Sequence, residues 1–170
     1  RQAGGCPCPW KAISYQFNII YIIVGILFGV FDFFYQELTS GIISSYATWF
    51  IVAWGIWLIP IIPISIYEAK VTKSCLRSAF TSVITWSISI VSYYLFMAVK
   101  LVLIGQASRK ELHISNYRDE FYWSNLKSLF TGDVLSGIIE WIGIAIVGGF
   151  VIGLSVSFAY LKLKKLRKSH

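Results

Sequence analysis

The chain has 170 residues, 56% of them hydrophobic and only 14% charged, with a mean hydropathy of +0.67. A soluble domain carries about 25% charged residues, and a β-barrel shows short alternating segments, so the long apolar blocks here exclude both. The net charge of +7 does not point to nucleic acid, because the basic residues gather at the ends of the apolar blocks and do not alternate with aromatics.

The pattern predicts an all-α integral membrane protein with four transmembrane helices, over about 15–35, 41–67, 80–104 and 134–162. Each block reaches the roughly 20 apolar residues that a crossing needs, and a helix satisfies its backbone groups within the segment. The four spans form one domain, and the lipid bilayer is its solvent. Residues 1–10 read as a flexible terminal segment. Cys6 and Cys8 stand there in a C-P-C-P pattern with no companion ligands, so neither a metal site nor a cofactor is expected.

The first span carries Gly25 and Gly29, four apart, which open a groove for another helix backbone. Asp32 continues the same face, so it points into the bundle. The second span is 27 residues long, about 40 Å of helix against a hydrocarbon core of roughly 30 Å. Pro60 and Pro63 interrupt its hydrogen-bond ladder at the carbonyls of Ile56 and Ile59, which predicts a kink and a candidate hinge. The third span is rich in hydroxyls, among them Ser82, Thr85, Ser89 and Ser92, and ends near Lys100. Such residues ordinarily serve helix packing.

Between the third and fourth spans lies a polar loop of balanced charge, 105–133. Tyr122, Leu126 and Leu129 recur at helical spacing within it. That predicts a short amphipathic helix on the outer interface, stopped by Thr131-Gly132-Asp133. The fourth span carries Glu140 on one face and the Gly149–Gly153 pair on another. One face serves the bundle, which leaves the glycine groove for a second copy or a partner.

Basic clusters at Arg1 and Lys11, at Lys70–Arg77 and at Lys162–Lys168 mark the cytoplasmic side, so both termini are placed inside. On that topology Asp32, Lys100 and Glu140 share the outer third of the membrane, and they form a candidate intramembrane charge cluster. The chain has no H-E-x-x-H, no G-x-S-x-G and no phosphate-binding glycine loop, so an enzyme is not expected. The leading expectation is a non-catalytic membrane protein working through helix–helix contacts, as a homo-oligomer or with a membrane-protein partner. The alternative is a small oligomeric transporter or channel, proton-coupled through Asp32, Lys100 and Glu140, for a solute that the sequence does not name.

Overall fold

The computed structural model describes residues 10–43, 45–104 and 120–167, and every element among them is helical. Residues 1–9 with Cys6 and Cys8, most of the polar loop (105–119), and 168–170 lie outside the described residues. The helices are α1 (Trp10–Ile42), α2 (Tyr46–Gly55), α3 (Leu58–Thr72), α4 (Cys75–Ile104), α5 (Tyr122–Leu129) and α6 (Ser136–Leu166). A π-helical joint, Phe130–Leu135, links α5 to α6. Three stretches are long and apolar enough to cross a membrane: Ile19–Thr39, Cys75–Lys100 and Tyr122–Leu166.

The expected second span is not one helix. Gly41 and Ile42 belong to the end of α1, and the remainder divides into α2 and α3, of 10 and 15 residues, each too short to cross alone. The break falls at Ile56–Trp57, three residues ahead of Pro60, and not at the prolines. Its chemistry follows from proline. With no Pro60 N–H to accept, the Ile56 carbonyl takes the Ile59 N–H at 3.1 Å, while Trp57 N–H turns to Trp54 O at 3.3 Å. Pro60 then sits in the first turn of α3, where its missing donor costs nothing, and Pro63 lies inside the helix.

A tight turn joins α3 to α4. Lys73 adopts the left-handed conformation (φ 55°) and returns its N–H to Ala69 O at 3.0 Å. The Ser74 hydroxyl then accepts the Arg77 N–H at 3.4 Å, which caps α4.

At the other connection the expected stop at Thr131-Gly132-Asp133 does not occur. The chain stays helical through it in the wider π form. In that geometry residues five apart stack, so Leu129 and Val134 both reach the core against Met97 and Ala98. Thr131 Oγ1 donates to Lys127 O at 2.9 Å and lies 3.3 Å from Ser128 O, serving carbonyls at the start of the joint. The amphipathic segment is therefore a continuation of α6, not a separate cap.

α4 is the central helix and packs on α1, α3 and α6. α1 lies parallel to it: a Cβ at Gly25 would press on Ile88 and the Thr85 carbonyl, one at Gly29 on Ser89 and Ser92, and Glu37 meets Lys100. α6 runs antiparallel: Gly153 lies against Ala79 and Ser82, Gly149 against Val83, Gly148 against Trp86 and Gly137 against Tyr94. The Gly149–Gly153 groove is thus filled by α4 of the same chain, which corrects the expectation of an outward-facing motif. A Cβ on Gly153 would come within 2.6 Å of Ser82 Oγ, so only glycine allows this approach. The backbone of α2 reaches only α1 and α3 and does not lie along α4.

Candidate solute site

The bundle has two polar regions, one toward each end of α4. Toward the α3–α4 turn, the small hydroxyl residues form a closed seam. Ser65, Ser78, Ser82, Thr85, Ser89 and Ser157 are all buried. Ser78 Oγ donates to Ser65 O at 2.8 Å, and the Ser65 and Ser82 hydroxyls meet at 2.7 Å. Each of those two hydroxyls also lies within bonding distance of its own helix, at Ile61 O and Ser78 O. Two protons serve three contacts, so one serine donates across the interface and the other donates along its helix. At the foot of the seam Tyr21 Oη donates to Glu68 Oε2 at 2.5 Å, tying α1 to α3.

Toward the other end the side chains are larger and the packing opens. Asp32 follows Gly29 by three residues on the face of α1 that meets α4, and it is 0% exposed. One turn on, Gln36 Nε2 donates to Asp32 Oδ2 at 3.0 Å. Tyr93 Oη, from α4, in turn donates to Gln36 Oε1 at 3.4 Å. The order of this relay is fixed by its last member. With Asp32 ionised, its carboxylate only accepts, so the amide nitrogen faces Asp32 and the amide oxygen faces the tyrosine.

Asp32, Gln36 and Tyr93 line a cavity of about 80 Å³, closed by Trp57, Ile90, Tyr94 and Trp141. Trp57 is the residue at the α2–α3 break, so the cavity lies beside the interruption. Its walls are braced by further rings: Trp57 stacks on Trp86 at 5.5 Å, Trp54 meets Trp141 at 5.7 Å, and Tyr93 is edge-on to Tyr94 at 5.2 Å. Aromatic pairs at these separations favour fixed offset or edge-to-face geometry.

The three ionisable residues expected to cluster have different surroundings. Asp32 lines the cavity. Lys100 forms a salt bridge with Glu37 at 2.8 Å and lies 4.9 Å from the centre of the Phe33 ring. Glu140 is exposed and makes no ion pair with any described residue. The difference follows from helical geometry. Glu37 is five residues from Asp32 and so leaves a different face of α1, while Glu140 is turned about 100° from its neighbour Trp141, which faces the cavity.

Sequence reasoning passed over Glu37, which it assigned to a loop, and Glu68, which lies one residue beyond the expected span. A signal for Glu68 was present: Ile61, Ile64, Ser65 and Glu68 recur at helical spacing and form one buried stripe. No comparable signal marked Trp57 or Trp141 among seven tryptophans.

The described residues around the cavity bring a carboxyl group, an amide, two tyrosine hydroxyls and aromatic faces to it. Among the described residues no group of three or more His, Cys, Asp or Glu is placed to hold a metal ion. No protein-family model, curated protein or solved structure matches the chain.

Proposed function

We propose that this protein binds a small polar solute within the membrane, at the Asp32 cavity, as part of moving that solute across. One observation carries the reading: a wholly buried carboxylate lines an open space beside an interrupted helix. Ionisable groups at membrane depth are expensive and mark substrate or ion pathways. Discontinuous helices are where membrane transporters place their binding sites. On this reading α2 and α3 together make a fourth crossing, broken at the level of the cavity.

The orientation proposed from the sequence has support in the packing. The Lys70–Arg77 turn and the Lys162–Arg167 end of α6 come to the same end of the bundle, because α6 is antiparallel to α4. That end is assigned to the cytoplasm, with the start of α1 beside it. The cavity then lies in the outer half.

Cysteine accessibility tests the reading. In a background lacking the natural cysteines, Tyr94→Cys should react with a small hydrophilic thiol reagent in intact cells. Val99→Cys, on the exposed apolar side of α4, should not. A Tyr94→Cys protein that reacts only after unfolding would remove the solute site.

A second reading, association with another membrane helix, keeps one specific observation in its favour. Glu140 stands exposed beside Ile139, Gly143, Ile146 and Val147 on the outward side of α6. A carboxylate on an apolar face favours a polar partner. Gly143→Cys should then cross-link to a neighbour in native membranes. Exclusively monomeric, uncross-linked protein would set that reading aside.

A further inference from the structure

The two ends of the bundle differ in charge as well as in packing. We infer that the end carrying the α3–α4 turn docks the headgroups of anionic phospholipids. The phosphate sits in the corner between that turn and the projecting end of α6. The inference rests on the chain lying in a membrane, not on the solute cavity, and it holds in whichever leaflet that end meets.

The corner arises from unequal helix lengths. Gly153 lies against Ala79, and α4 begins four residues before Ala79, at Cys75. The start of α4 is therefore level with about Ser157 of the antiparallel α6. From there α6 runs nine residues further, to Leu166, about 13 Å of helix. Every residue from Lys162 to Arg167 is exposed. The buried face of α6 is formed by Ala145, Gly149, Gly153 and Ser157. Lys164 lies seven residues beyond Ser157 and eleven beyond Gly153, so at 100° per residue it falls within about 20° of both. The face that seats α6 on the bundle thus carries a lysine just past the level where its partner helix begins. The Lys164 ammonium lies 5.9 Å from the centre of the Tyr160 ring, one turn back.

The corner has positive charge without a counter-charge. Lys73 stands in the turn, with Lys70 and Arg77 on either side of it, and all three are exposed. Lys162, Lys165 and Arg167 surround Lys164 on α6. None of these cations pairs with an acidic side chain among the described residues. Glu68, the acidic residue of α3, is buried and accepts the Tyr21 hydroxyl. Lys73 also holds a left-handed conformation, φ 55°, where glycine is the ordinary choice. A cation stands there at the cost of a less favourable backbone. Lysines in such a setting form charge-assisted bonds with phosphate oxygens, and clusters of about four to eight Lys and Arg beside a span recognise anionic headgroups.

The apolar neighbours select a lipid over a dissolved anion. Leu163 and Leu166 are 66% and 55% exposed between the cations of α6. Leucines interleaved with lysines suit the headgroup boundary, where the leucines meet acyl carbon and the ammonium heads reach phosphate. A dissolved polyanion would leave those leucines in water.

The test is native mass spectrometry of the full chain in neutral detergent, counting lipid adducts during titration with phosphatidylglycerol. Phosphatidylcholine of the same acyl chains is the comparator, and polyglutamate and inorganic phosphate serve as competitors. Phosphatidylglycerol should bind at a concentration about tenfold or more below that of phosphatidylcholine. Lys164→Gln should weaken phosphatidylglycerol by about fivefold and leave phosphatidylcholine unchanged. Lys73→Gly removes a cation and gives the left-handed position to the residue that favours it. It should weaken phosphatidylglycerol by about three- to fivefold, with no fall in the thermal unfolding midpoint. Lys127→Gln, on α5 at the opposite end, should leave binding unchanged.

Equal affinity for the two lipids would overturn the assignment. So would a preference that survives both Lys164→Gln and Lys73→Gly, or one that Lys127→Gln lowers as much, since net charge alone would then account for it. Displacement of phosphatidylglycerol by polyglutamate or inorganic phosphate at equal charge concentration would put a dissolved anion in the corner and overturn the lipid. None of these results bears on Tyr94→Cys, so the solute site stands or falls separately.

Discussion

The two ends of α4 meet their neighbours in opposite ways. Toward the α3–α4 turn, glycines on α6 and serines on α3 and α4 bring backbones within reach, and hydroxyls bond across the gap. Toward Lys100, tryptophan and tyrosine rings surround a space beside Asp32. Small residues close a membrane bundle because there is little hydrophobic force between helices in lipid, and close contact must supply the attraction. Large rings fill area but tile imperfectly, and the break between α2 and α3 removes the helix that would otherwise pack along that end. One end holds the fold together; the other leaves room for a guest.

The largest test of that contrast is to overfill the closed end. Gly153→Leu would drive a side chain into Ser82 and Ala79, and it should cost about 3 kcal/mol or more, read as loss of folded protein in mild detergent. Gly143→Leu, on the same helix with nothing within 4 Å, should leave stability unchanged. Equal effects of the two would mean that α6 does not seat on α4 as described.

Next in size is the bond at the foot of the seam. Tyr21→Phe removes a donor from the buried Glu68 and should destabilise by about 1–3 kcal/mol in thermal or denaturant unfolding. Glu68→Gln retains an acceptor for the tyrosine and should cost less. The reverse order would indicate that the contact is incidental.

Smaller again is the salt bridge at the open end. Its side chains are 18% and 37% exposed, so a double-mutant cycle of Lys100→Met and Glu37→Gln should give a coupling of about 1 kcal/mol or less. That coupling should exceed the one between Lys100 and Asp32. A stronger coupling to Asp32 would restore the charge cluster expected from the sequence. The smallest expected effect is Ser65→Ala, about 0.6 kcal/mol, the average for interhelical hydrogen bonds in membranes.

What the sequence revealed and what it hid divide along the same line. Three of the four apolar blocks are found in helices long and apolar enough to cross a membrane, and Gly25, Gly29 and Asp32 lie on the inward face of α1 that their spacing assigns. Pairings between helices carry no such signature. Lys100 turned to Glu37 because a helix that enters the bundle at Trp10 and runs to Ile42 brings Glu37, not Glu140, alongside it. The loop assignment of Glu37 concealed that. Gly149 and Gly153 showed where backbones approach, but a glycine pair does not say whose backbone arrives. Proline misplaced the break for a related reason: its missing donor is a cost only inside a helix, so the chain restarted the helix just ahead of Pro60.

The joint at Phe130–Leu135 has a consequence for how this chain tolerates change in length. A stretch of π-helix is what an α-helix becomes when it absorbs one additional residue without unwinding. The rod from Tyr122 to Leu166 therefore behaves as two registers spliced together, with Gly132 in open space at the splice. Deleting Gly132 would give an uninterrupted α-helix of nearly the same length. It would also swing everything before the joint by about 100°, taking Leu129 off Met97 and Ala98 while leaving the glycine contacts of α6 in place. An insertion elsewhere in α6 has no such slack to use, so the joint is the point along this helix where a single residue decides which side chains face the core.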